Sequence, residues 1–440
     1  MSLFSLYFYA LFAIVLVCTA FISKFFSEKA SNKTFQKLLL LFASAIFICF
    51  ASWKALICIF VVSFITWFCG KQKQKTWQYI GITVLVLTLV FYKFADAKQL
   101  NIIVPLGVSF FTFSAISYLV DISRNEIKAK DFLSVVLYLS FFLKLTSGPI
   151  QKSSDFFAQI DKNRNINQQN LSAGLQIYCF GLFKKLVLAD HLSVFVNEVF
   201  STPNAFSGFS ILLAILSYSL QIYFDFSGYS DMAIGTGKML GFELPKNFNM
   251  PYLSRNVTEF WRRWHISLST WIRDYIYISI GGNRKGKLRQ NLNLLVAMTL
   301  CGLWHGATLN FILWGFLHGV ALLVQKNFKR MAKPFSAVLT FSFVSLLWVL
   351  FRSENLNIAI QIYKRLFTLA AGLNQPYLWT FISIIVFIIS TVFVKKNDGE
   401  SFYPILDLKK ISHITIFFVF LGLLFSLAYT GGSPFIYGAF

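Results

Sequence analysis

Long unbroken runs of apolar residues set the pattern of this chain. They fall near 3–26, 36–53, 55–70, 76–94, 102–120, 132–147, 171–190, 208–224, 291–306, 308–325, 335–352, 377–394 and 413–430. Most approach the ~20 residues that an α-helix needs to cross about 30 Å of hydrocarbon. A transmembrane β-barrel would alternate over segments of about ten residues, and these blocks do not alternate. Lys144 interrupts one block, and the pair Lys184–Lys185 interrupts another. The pattern therefore predicts an all-α polytopic membrane protein with about eleven full spans. The remaining blocks are expected to be re-entrant or interfacial, since irregular backbone at membrane depth needs cover from protein or a water-filled cavity.

Composition agrees with that class and excludes others. Of 440 residues, 56% are hydrophobic, only 13% are charged, and 52 are Phe. A soluble globular enzyme, a disordered chain and a disulfide scaffold are all ruled out. The net charge of +22 would point to nucleic acid in a soluble protein. Here the basic residues crowd short loops beside apolar spans, which anionic headgroups and the positive-inside rule favour, so membrane lipids and not nucleic acid are the expected partners. Alternate loops are basic: Lys24 to Lys37, Lys71 to Lys75, Arg124 to Lys130, Arg284 to Arg289 and Lys326 to Lys333. That alternation puts the N-terminus outside and these loops in the cytoplasm. The first charge is Lys24, so residues 3–26 are read as a retained span and not a cleaved signal. All six cysteines lie in apolar stretches without Cys-x-x-Cys spacing and are expected to be small buried hydrophobes. No repeat or linker divides the chain, so residues 1–440 are read as one membrane-embedded domain.

Polar residues concentrate between about 221 and 320, and ionisable groups in a membrane setting point to function. Placed on one continuous helix, residues 260–275 would put Arg262, His265, Ser269 and Arg273 within an arc of roughly 80°. Phe260, Trp264, Leu268, Trp271 and Tyr275 would lie opposite. An interfacial helix with Trp anchors and snorkelling Arg explains most of that pattern, but it needs no histidine. The string Gly302-Leu303-Trp304-His305-Gly306-Ala307 holds a second histidine between glycines at small-xxx-small spacing, where another backbone can approach. Imidazole exchanges a proton near neutral pH, although a core histidine bonded to a carbonyl fits as well. Asp225 and Asp231 flank Gly228 in apolar sequence, where they could bind a cation, orient a histidine or cap broken helices. Asn283 sits in the turn Gly281-Gly282-Asn283-Arg284, which leads into a basic loop. His318, one helical turn from Trp314, reads as structural, and no metal site is expected.

Together these segments resemble the membrane-bound O-acyltransferases. The resemblance rests on Phe260 to Trp271, Gly281 to Arg284 and Gly302 to Ala307. It extends through Val104 to Phe111, Ser147-Gly148-Pro149-Ile150, Gly181 to Lys185 and Tyr223 to Asp231. It covers about residues 100–325 and is nearest to the bacterial alginate O-acetyltransferase type, which is itself similar to the D-alanyl transfer proteins of teichoic acid. Leu143-Lys144-Leu145-Thr146-Ser147 departs from the expected Pro-Gln-Leu-Val-Ala. The resemblance implies a ring of spans around a thin centre with a tunnel, His305 as the catalytic histidine and His265 as the second.

The function so implied is an O-acyltransferase of the bacterial inner membrane with no bound cofactor. Acetyl-CoA or another acyl thioester would be the cytoplasmic donor. His305 would act as general base on an acceptor hydroxyl. His265, with the Arg face beside it, would polarise the thioester carbonyl. Arg262, Ser269, Arg273, Asp225, Asp231, Trp304 and Asn283 are the candidate substrate-binding residues. A periplasmic acyltransferase partner would pass the group to an extracytoplasmic polysaccharide such as alginate or peptidoglycan. The alternatives are D-alanyl transfer to teichoic acid from a carrier-protein thioester, and a transporter or flippase.

Overall fold

The computed structural model describes residues 3–25, 30–98, 100, 104–162, 166–325, 333–396, 405–432 and 435–436. Among them the regular elements are helices, and no β-strand forms. The chain divides into two compact units, one of residues 1–178 and 229–245, the other of residues 179–228 and 246–440.

The first unit carries α1 (Leu6–Phe25), α2 (Ala30–Cys49), α3 (Trp53–Lys71), α4 (Lys75–Ala97), α5 (Val108–Ser123), α6 (Phe132–Ser140), α7 (Ser153–Ile160) and most of α8 (Gln168–Leu182). The block 132–147 is not a span. Helix α6 stops after nine residues at Phe141, whose φ of −55° and ψ of 109° leave the helical region. Nine residues rise only about 14 Å. The chain then turns through Lys144, which is buried with its ammonium 3.9 Å from the Tyr138 ring centroid and 4.6 Å from that of Phe156. The aromatic rings hold the cation, and buried irregular backbone replaces helix. The Tyr138 hydroxyl donates to the Gln151 carbonyl over 2.9 Å, and Thr146 hydrogen-bonds Tyr229.

The second unit begins where α8 passes into a π-helical stretch, Phe183–Ala189, and then into α9 (Asp190–Ser201). The two lysines thus do not break the helix but widen it, the usual mark of a π-bulge. Helix α10 (Gly208–Met239) is 32 residues long, so it runs well past the apolar block 208–224 and through both aspartates. Helices α11 (Val257–Arg263), α12 (Ile266–Trp271), α13 (Gly286–His305), α14 (Leu309–Val324), α15 (Lys333–Arg352), α16 (Leu356–Phe367), α17 (Leu378–Lys396) and α18 (Ile411–Leu427) follow.

Six described helices are long and apolar enough to cross a membrane, and four apolar helices are shorter. The expected eleven spans are therefore not reached on length alone. Outward residues such as Leu6, Val17, Ile57 and Val392 are more than half exposed, as suits surfaces facing lipid and not water. Cys69, Cys179 and Cys301 are buried, but Cys18 and Cys58 are half-buried and Cys49 is exposed. The expectation of uniform burial fails because lipid solvates a thiol on the outer face of a span.

Candidate active site

The segment 260–275 is not one helix. Trp264 is extended, and His265 has φ 42° and ψ 55°. A non-glycine residue in the left-handed region is uncommon and costs about 1–2 kcal/mol, so the surrounding structure must hold it there. The backbone does so from both sides. Asn249 N donates to the Arg263 carbonyl over 2.9 Å, and Ile266 N donates to the Asn247 carbonyl over 2.9 Å. A second irregularity follows, because residues Ile272–Tyr277 are π-helical. The predicted arc of Arg262, His265, Ser269 and Arg273 is therefore lost. His265 is buried, whereas Arg262 and Arg273 are exposed. Arg273 Nε donates to Asp274 Oδ1 over 2.7 Å, and Ser269 Oγ donates to the Trp264 carbonyl over 3.2 Å. The physical reason is the left-handed residue, which resets the direction of the helix at the residue the arc was centred on.

Asn247 holds the His265 ring. Asn247 Oδ1 lies 3.1 Å from His265 Nδ1 and also accepts from Ser267 N and Ser267 Oγ. The Ser267 backbone N–H can only donate, so this Asn247 atom is the acceptor oxygen and His265 Nδ1 carries the proton. The lone pair of the neutral ring then resides on Nε2. Burial pushes the imidazole down to about 3, so the ring is neutral at physiological pH. A neutral ring in this tautomer accepts a hydrogen bond at Nε2. The Phe226 ring meets His265 edge-on with centroids 4.6 Å apart.

His305 is the last residue of α13 and is buried. Its ring packs against Trp304 at 4.6 Å, Phe351 at 5.0 Å and Trp314 at 5.4 Å. The glycine spacing does bring a second backbone close. A methyl group on Gly302 would stand 3.1 Å from Gly315 Cα on α14 and closer still to the Phe311 carbonyl. Gly306 differs, since the nearest atoms to a methyl group there would be ring carbons of Phe311. The ring therefore stands at the C-terminal end of α13 among aromatic side chains. Such a ring can take and return a proton.

Asp225 and Asp231 do not form a pair. Six residues apart on α10, they point about 120° apart around the helix, and they fall in different units. Asp225 is committed to Lys185, whose Nζ lies 2.8 Å from Asp225 Oδ1 and 2.7 Å from Asp190 Oδ1, all three buried. Ile436 N donates to Asp225 Oδ2 over 2.8 Å. This closed ion cluster removes Asp225 from the list of open cation or substrate ligands. Asp190 was not recognised in sequence because its partners lie five and 35 positions away. Asn283 is exposed in a turn where Gly281 and Gly282 have φ of 116° and 54°, and Asn293 Nδ2 ties that turn down through the Gly282 carbonyl at 2.9 Å. Trp304 is buried beside His305.

The model of the membrane-bound O-acyltransferase family matches residues 53–363. This chain belongs to that family. Its members are O-acyltransferases, so the protein is a multi-pass membrane enzyme and the transporter alternative falls. The match is wider than the 100–325 core seen in the motifs. A probable alginate O-acetylase of Pseudomonas syringae pv. tomato is 37% identical over 379 residues, covering 77% of this chain and 71% of the relative. A peptidoglycan O-acetyltransferase of Helicobacter pylori is 35% identical over 401 residues, covering 78% and 75%. A teichoic acid D-alanyltransferase of Bacillus subtilis is 29% identical over 247 residues, covering 53% and 62%.

Proposed function

We propose that this O-acyltransferase moves an acetyl group from a cytoplasmic acyl thioester, with acetyl-CoA as the reference donor, toward hydroxyls of an exported polysaccharide. The observation that carries the reading is His305, a buried imidazole at the C-terminal end of α13 in an aromatic enclosure. A hydroxyl is a poor nucleophile until a base takes its proton, and such help is typically worth about 10²–10⁴-fold. In this reading His305 takes that proton as the oxygen attacks the thioester carbonyl. The C–S bond then breaks, and the thiolate receives the proton back from His305. Neutral His265, with its lone pair at Nε2, accepts a hydrogen bond from substrate or acceptor.

Acetyl is favoured over D-alanyl because the relatives named for O-acetylation match more of the chain at higher identity. The exposed basic residues Arg284 and Lys285 in the turn and Lys287 and Arg289 in the first turn of α13 suit the cytoplasmic face of the bacterial inner membrane and an anionic donor. A periplasmic acyltransferase partner completes transfer to the polymer, with alginate or peptidoglycan the acceptor classes that the relatives' names supply. The test uses purified protein in vesicles with acetyl-CoA carrying a labelled acetyl group. Release of free thiol with label on an added acceptor supports the reading. Transfer only from a D-alanyl carrier protein would replace it.

A further inference from the structure

His318 reads in sequence as a structural histidine, yet its surroundings do not fit that role. It is completely buried on α14, and neither ring nitrogen forms a hydrogen bond among the described residues. The indole nitrogens of Trp261 and Trp314 are likewise buried without a partner. The three rings touch one another: His318–Trp314 at 5.0 Å, His318–Trp261 at 5.1 Å and Trp261–Trp314 at 5.7 Å, all near perpendicular. Trp314 also meets His305 at 5.4 Å. Four ring nitrogens in one contact cluster thus lack partners beside the candidate base. Buried polar groups are nearly always bonded, and each exception asks for a reason.

We propose that His318, Trp261 and Trp314 form a subsite beside His305 that receives an uncharged secondary amide of the acyl donor. A neutral imidazole and two indoles offer three N–H donors and one acceptor. An amide answers both needs, because its carbonyl accepts and its N–H donates. The neighbouring rings Phe260, Phe343, Phe351 and Trp348 are uncharged, so a phosphate or carboxylate would be buried here without a counter-charge. Coenzyme A and acyl carrier proteins both end in an arm whose first amide lies two methylene groups from the reacting sulfur. The subsite therefore rests on the thioester reading, and it serves either source of the arm.

The full-length protein in detergent tests this with two probes, S-acetyl-N-acetylcysteamine, which carries the amide, and S-(2-methoxyethyl) thioacetate, which does not. His318→Phe keeps an aromatic ring and removes both nitrogens. Because those nitrogens bond nothing among the described residues, the variant should melt at or above the wild-type temperature. In wild type the amide probe should bind roughly 5–10-fold more tightly than the amide-free probe, by thermal shift, the worth of one or two neutral hydrogen bonds. That preference should vanish in His318→Phe and return in part in His318→Gln. Melting of His318→Phe several degrees below wild type would show that the ring nitrogens serve the fold, and the subsite would be wrong. Equal shifts from both probes, or none from either, would overturn it too. Acetyl transfer by wild type from each donor is read separately, so failure of the thioester reading shows as binding without transfer. Coenzyme A and an acyl carrier protein, each tested as competitor of the amide probe, distinguish the two sources.

Discussion

Replacing Gly302 by Ala tests the packing that places His305. The added methyl group would fall 3.1 Å from Gly315 Cα and inside the 3.0 Å limit that real methyl groups keep from a carbonyl oxygen, here that of Phe311. Both obstacles are backbone atoms of α14, so no side chain can rotate away. The helices must part by on the order of 1 Å, and overpacking of this kind costs about 1–3 kcal/mol. Alanine returns up to about 1 kcal/mol through its higher helix propensity. The protein should therefore stay folded with a modest loss of stability. Activity should fall much further, since a shift of about 1 Å at a reacting group can cost about 10²-fold, and His305 sits three residues along α13 from the wedge. Gly422→Ala in α18, where nothing lies within 4 Å of the added methyl, is the control and should keep wild-type turnover with stability equal or up to about 1 kcal/mol higher. The assay pairs acetyl transfer in vesicles with melting temperature in detergent. A Gly302→Ala protein with wild-type turnover would refute the link between the α13–α14 approach and the site.

Other outcomes follow from the same geometry. Asn247→Ala strips the shared acceptor from His265 and from both Ser267 donors; it should destabilise the protein by about 2–4 kcal/mol and cut turnover at least tenfold, and intact turnover would show that His265 needs no fixed tautomer. Because burial lowers the His265 imidazole from its ordinary 6.5 to about 3, the folded state resists a proton that the unfolded chain takes up. Stability should then fall as pH drops from about 6.5 toward 3, and melting curves should show a shallower fall in His265→Gln. Lys185→Met leaves Asp190 and Asp225 buried without their cation and should cost about 3–5 kcal/mol, with much of it recovered when both aspartates become asparagine; an undisturbed melting temperature in the single variant would contradict the ion cluster.

Much of the scaffold was legible because its driving term is local. Runs such as 6–25, 53–71 and 335–352 are apolar on every side, and a helix is the structure that satisfies their backbone in lipid. The close approach at Gly302 was legible for a similar reason, since it requires the absence of a side chain, whereas Gly306 serves no such approach. The break at His265 was not. Neither glycine nor proline stands at 264–265, and the left-handed turn depends on hydrogen bonds from Asn247 and Asn249, some 15 residues upstream. The commitment of Asp225 to Lys185 was hidden likewise, because the π-helical stretch that presents Lys185 carries no residue signal of its own. His318 was judged by its spacing alone, and spacing says nothing about whether two ring nitrogens find partners. The apolar pattern predicts where helices run, but polar pairing over long sequence separations decides what each buried polar group does.

The central claim is that His305 is the base that activates the acceptor hydroxyl. The direct measurement is acyl transfer by purified His305→Ala in vesicles, with folding checked by gel filtration and melting temperature against wild type. The account predicts a folded protein whose transfer falls by at least about 10²-fold, while His265→Ala retains measurable activity. A folded His305→Ala protein that transfers the acyl group at the wild-type rate would contradict it.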